Sequence, residues 1–66
     1  MIISDFTVIE LDYFRDNCNF VGDELLVFEL RSRGTPLIEI ASMLNVSLDT
    51  AKKLSRKVNK KIMKVI

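Results

Sequence analysis

The sequence predicts an all-α fold, a compact three- to four-helix bundle containing a helix-turn-helix. Three observations carry this expectation. Apolar residues recur at helical spacing from residue 23 onward. Residues 37–56 place small and apolar side chains where two helices must meet across a tight turn. Between the periodic stretches stand Gly34-Thr35-Pro36 and Asn45-Val46-Ser47, residues that stop one helix and start the next.

The first 19 residues read two ways. Ile9-Glu10-Leu11-Asp12-Tyr13 alternates like a strand, whereas Phe6, Ile9, Tyr13 and Phe14 recur like one face of a helix. Helix is preferred, because a lone strand would find no partner in a chain that otherwise reads helical. Asn17-Cys18-Asn19 then reads as a linker. The chain divides into an N-terminal helical segment, residues 1–19, and a helix-turn-helix domain, residues 20–66.

Residues 23–33 form the next helix, with Leu26, Val27 and Leu30 inward and Leu25 and Phe28 widening the stripe. Phe20 packs on it as a staple, and Glu24 reaches back to a free amide. Gly34 ends it, Thr35 offers a hydroxyl cap to the following helix, and Pro36 takes the first helical position, where its missing N–H costs nothing. In the helix-turn-helix proper, Ala41 gives the room two crossing helices need, and Ile40, Leu44, Val46, Ala51 and Leu54 face inward. Asn45 makes the reversal in the left-handed region that Gly prefers and Asn tolerates. Ser47 caps the last helix, 48 to about 64, and Asp49 in its first turn suits the positive end of the dipole. That helix carries Ala51, Leu54, Ser55, Val58, Ile62 and Val65 on one face and most of the basic residues on the others.

Charge divides the chain more sharply than its total of +1 suggests. Residues 1–29 hold seven acids against Arg15, a net of −6; residues 30–66 hold nine bases against Glu39 and Asp49, a net of +7, with no acid after Asp49. A Lys run alone is usually a solvated helix face. Joined to a helix-turn-helix, it points to a polyanionic partner.

Composition excludes several classes. Cys18 is the only cysteine, so no internal disulfide forms, and without His a zinc site has too few soft ligands. A reducing cytoplasmic compartment fits best. The longest apolar run, Leu25-Leu26-Val27-Phe28, is far short of a membrane span, and the N-terminus lacks the basic region of a signal peptide. No catalytic constellation stands out, no cofactor is implied, and an enzyme is not expected. Cys18 has no base to activate it. Met43 and Met63 read as packing or surface residues, and Tyr13 and Phe14 as core or subunit contacts.

Glu24 to Ile62, somewhat more than half of the chain, resembles the DNA-binding module of LuxR-type regulators and the similar region 4 of bacterial sigma factors. The likeness rests on Glu24, Gly34, Glu39-Ile40-Ala41, Leu44, Asn45-Val46-Ser47, Thr50 and Lys61-Ile62, all in register. Small phage-type regulators with sigma-like modules are similar in size. The chain departs from the pattern at Ala51, where a larger Val is usual, at Leu54, where His is common, and at Val21, where Ser or Thr caps the first helix. The resemblance implies sequence-specific double-stranded DNA binding in transcription regulation, with the helix 48–64 in the major groove. Leu48, Asp49, Lys52, Lys53 and Arg56 then face base edges, the cations toward guanine and Asp49 toward a cytosine amine. Ser47 and Thr50 approach phosphate, Thr35 is a further DNA-binding candidate, and Lys57, Lys60 and Lys61 add backbone attraction or keep the surface soluble.

Two other functions remain open. One is a sigma-like protein-interaction module binding RNA polymerase or another regulator through the acidic N-terminal half. The other, a basic amphipathic helix on anionic lipid, is weaker because the core claims its apolar face. A homodimer is also expected, since Phe6, Val8, Ile9, Leu11, Tyr13 and Phe14 exceed what one side of a short helix buries, and Ile62, Met63, Val65 and Ile66 extend past the core. Such a dimer, built on the N-terminal segment, the C-terminal helix end or both, sets two recognition helices about 34 Å apart.

Overall fold

A computed structural model describes residues 2–66. After a short 3-10 turn, Ile3–Asp5, the chain forms four helices: α1 (Val8–Asn17), α2 (Asp23–Ser32), α3 (Leu37–Leu44) and α4 (Leu48–Val65). No strand occurs among the described residues. At 18 residues α4 is about 27 Å long and runs nearly the full 30 Å extent of the molecule; α1, α2 and α3 all pack against it.

The ambiguous N-terminal stretch is helical because its start is doubly secured. The Thr7 N–H donates to the Glu10 carboxylate at 2.9 Å, and the Glu10 N–H donates to the Thr7 hydroxyl at 3.2 Å, so two otherwise unpaired amides are satisfied at once. Phe6 and Phe14 meet edge to face, ring centres 4.8 Å apart. Phe14 and Cys18 are buried, while Ile9 and Tyr13 point outward. Ile3, Phe14 and Cys18 join Val27, Phe28, Leu30, Ile40, Val58 and Ile62 in one hydrophobic core.

The inward face of α2 differs from the expected one. Glu24, Val27, Phe28 and Leu30 are buried, whereas Leu25 and Leu26 are exposed. Residues 24, 27 and 28 share one side of a 3.6-residue turn, and the helix orients by burying Phe28, which stacks on Phe20 at 4.8 Å, rather than by hiding every leucine. At its end Gly34 turns left-handed, φ 83°, and two bonds close the helix: Gly34 N–H to the Arg31 carbonyl and Thr35 N–H to the Leu30 carbonyl, both 3.0 Å.

That closure corrects the expected start of α3. Thr35 does not cap it; its amide serves the end of α2, and its carbonyl accepts from the Arg31 guanidinium at 3.0 Å. Pro36 is not the first helical residue but the cap before it, extended at ψ 150°, its carbonyl accepting from the Glu39 and Ile40 amides. A cap position asks for no N–H of its own, so proline suits it equally.

Candidate nucleic-acid interface

The turn between α3 and α4 follows the sequence reading. Asn45 sits at φ 57°, ψ 45°, left-handed, and is the only non-glycine residue with positive φ among those described. Val46 N–H returns to the Ala41 carbonyl at 3.0 Å and Asn45 N–H to that of Ser42 at 3.2 Å, which pairs the last carbonyls of α3. Small buried residues, Ala41 on α3 and Ala51 and Ser55 on α4, allow the two helices to cross closely. The Ser47 hydroxyl accepts from the Thr50 N–H at 3.2 Å and donates to the Thr50 hydroxyl at 3.0 Å.

With the turn fixed, the period of α4 fixes its faces. Ala51, Ser55, Val58 and Ile62 are buried, with Leu54 and Val65 half-buried beside them. Asp49, Lys52, Lys53, Arg56, Lys57 and Lys60 emerge from the remaining arc, all exposed, and Leu48 stands exposed at the helix start beside Ser47 and Thr50. Ten of the eleven residues singled out from sequence therefore lie on one helix and its cap. Thr35 is the exception, half-buried in the α2–α3 turn. Lys64, exposed one turn beyond Lys60, continues the outward row and was readable from the same four-residue spacing.

The cations of α4 are not equivalent. Lys61 donates to the Glu24 carboxylate and to the Asn19 carbonyl, tying the end of α4 to the start of α2. Glu24, almost fully buried, also accepts from the Val21 N–H at 3.2 Å. These bonds hold its carboxyl below the ordinary carboxylate range, the Lys61 bond most strongly and the Val21 amide next; burial opposes, and the Lys57 charge adds a smaller pull the same way. Lys61 is thus a structural cation rather than part of the exposed surface row. The other ion pairs join Arg15 to Asp12 and to Glu29, so among the described residues Lys52, Lys53, Arg56, Lys57 and Lys60 face solvent without a carboxylate partner. Burial pushes the Cys18 thiol up, with the Lys61 charge opposing, so it stays a protonated core residue.

No helix among the described residues is long and apolar enough to cross a membrane. The chain matches no family model, and neither a curated protein nor a solved structure shows significant similarity to it.

Proposed function

We propose that this chain binds double-stranded DNA in a sequence-specific way, as a LuxR-type or sigma region 4-like transcription regulator in the cytoplasm, with α4 in the major groove. The observation that carries the reading is the exposed, unpaired basic face of α4, presented directly after a three-residue turn capped by Ser47. An α-helix about 10–12 Å across fits a major groove about 12 Å wide. Leu48, Asp49, Lys52, Lys53 and Arg56 then reach base edges, Arg56 able to hold a guanine through two bonds. Ser47, Thr50, Lys57 and Lys60 contact phosphate; Thr35, half-buried, contributes its hydroxyl at the rim.

A titration of labelled duplex against salt tests the electrostatic part. If Lys52, Lys53, Arg56, Lys57 and Lys60 each neutralise one phosphate, the logarithm of affinity falls against the logarithm of salt with a slope of about −4 to −5. A flat response defeats the proposal. Selection of bound sequences from random duplexes tests specificity, and recovery of no preferred sequence would reduce the reading to nonspecific binding. A second reading, a module docking on RNA polymerase or another regulator, draws support from Leu25 and Leu26, exposed on an α2 whose first turn is acidic. Retention by polymerase without any duplex affinity would favour it.

A further inference from the structure

A groove between the N-terminal segment and the end of α4 shares no residue with the surface assigned to DNA. Its lining is aromatic at Phe6, Tyr13 and Phe14 and aliphatic at Ile9, Val65 and Ile66, around a volume of 370 Å³. Small-ligand sites commonly span about 300–1,000 Å³, and this one corresponds to about a dozen waters at liquid density. Glu10 is the one charged residue of the lining. No base enters it: Lys64 is exposed next to Val65 but outside the lining, and Arg15 is already engaged by Asp12 and Glu29.

The three rings are arranged so that ring faces stay available. Phe6 and Phe14 meet at 83° with centres 4.8 Å apart, and Tyr13 and Phe14 at 72° and 6.1 Å, edge-to-face contacts in which one ring of each pair keeps its faces off the other. Phe20 and Phe28, stacked at 29°, cover each other instead. An aromatic face is the negative part of the ring's quadrupole and attracts a cation placed over it within about 6 Å. Glu10 adds a full negative charge. Its Oε1 accepts from the Thr7 N–H, and among the described residues no donor engages its Oε2. We propose that the groove binds an organic ammonium ion, a quaternary or alkylated amine whose positive head lies between Glu10 and the rings of Phe6 and Tyr13 and whose apolar body lies along Ile9, Val65 and Ile66. An anion of the same size is repelled by Glu10 and finds no base. A neutral ligand gains the apolar floor and nothing from the carboxylate. A second copy of this chain meets no cation in the lining to answer its acidic α1.

Tyr13 reports on the groove directly, because it is the only tyrosine in a chain without tryptophan. Octyltrimethylammonium and octanesulfonate carry the same tail and opposite heads. Titrated below their micelle concentrations, the ammonium is expected to change Tyr13 fluorescence saturably, and the sulfonate to bind at least about tenfold more weakly. Glu10→Gln removes the charge but keeps a side chain able to cap α1. It is expected to weaken the ammonium about fivefold with the circular dichroism spectrum unchanged. Tyr13→Leu, followed by calorimetry, removes a ring at an exposed position and is expected to weaken the ammonium without weakening the sulfonate. Equal affinity for the two amphiphiles, ammonium affinity indifferent to Glu10→Gln, or a response that never saturates overturns the proposal. A dimer in sedimentation that dissociates on Ile9→Lys gives the groove to a second copy and overturns it as well. No DNA enters the test, so its failure leaves the DNA reading where it stands.

Discussion

The two faces of α4 share one backbone and one length, yet they do opposite work. The inner face holds Ala51, Val58 and Ile62 at zero exposure and is committed to the core. The outer face holds Lys53, Arg56 and Lys60 in solvent with no carboxylate partner among the described residues. The inner face is therefore replaceable only at a cost in stability, and the outer face only at a cost in whatever it binds. Lys61 belongs to neither: it has the chemistry of the outer face and the bonding of the inner one. Substitutions at these three kinds of position should separate cleanly.

Ile62→Ala should be the most damaging, at about 2–5 kcal/mol, because the methyl groups it removes leave a void where α4 packs on the core and the neighbours relax only in part. Urea denaturation measures it. A loss under about 1 kcal/mol would mean that the inner face is looser than the buried positions imply.

Lys61→Met comes next. It leaves Glu24 buried with one backbone donor and no cation, an imbalance worth roughly 1–3 kcal/mol. The pH dependence identifies the cause. Glu24 is held below its ordinary value of 4.5, so its bonds stabilise the fold above that pH and the stabilisation is lost as pH falls through the lower folded value. In Lys61→Met this acid-side loss should flatten. Glu24→Gln combined with Lys61→Met should recover much of the stability at neutral pH, since a neutral amide tolerates burial without a cation. A double variant no better than the single one would refute the pairing.

These comparisons show why some of the molecule is legible in its sequence and some is not. Local signals survive translation into structure: Asn45 is left-handed, Ser47 caps α4, Gly34 closes α2 and Glu24 reaches the Val21 amide, each decided within a few residues. The start of α1 was legible too, in Thr7 and Glu10 three residues apart, a sign that the competing strand alternation obscured. Orientation about a helix axis is harder. Leu25 and Leu26 are as apolar as Val27 and Phe28, and only packing against α4 and Phe20 decides which pair goes inside. The Glu24–Lys61 pair spans 37 residues, a separation at which no local rule chooses among seven cations on α4. For the candidate interface the helical period of α4 is enough to group its outward residues, because its apolar positions are regular; the capping role expected of Thr35 fails because the closing bonds of α2 claim its backbone first.

The turn that sets the two faces can be tested by a smaller perturbation. Asn45→Gly should be neutral or slightly stabilising, since glycine enters the left-handed region without a side-chain clash. Asn45→Val should cost about 1–2 kcal/mol, because a branched β-carbon crowds the following carbonyl there. Equal thermal midpoints for the two variants would contradict the observed φ of 57°.

The smallest effect on stability should come from Lys53→Ala combined with Arg56→Ala, and its smallness is the point. Both side chains are exposed, neither joins an ion pair among the described residues, and alanine is the better helix former, so unfolding should shift by no more than about 0.5 kcal/mol. Duplex affinity should nevertheless fall. With two fewer cations to neutralise phosphate, the salt slope becomes shallower by about 2, and if Arg56 reads a guanine, discrimination among sequences relaxes by about 1–3 kcal/mol at that position as well. The two effects are separable: a weakened slope with unchanged sequence preference assigns both residues to the backbone, while an abolished preference assigns at least one to a base. A stable double variant that binds duplex as the parent does would leave the outer face of α4 as mere solvation and end the argument from its charge.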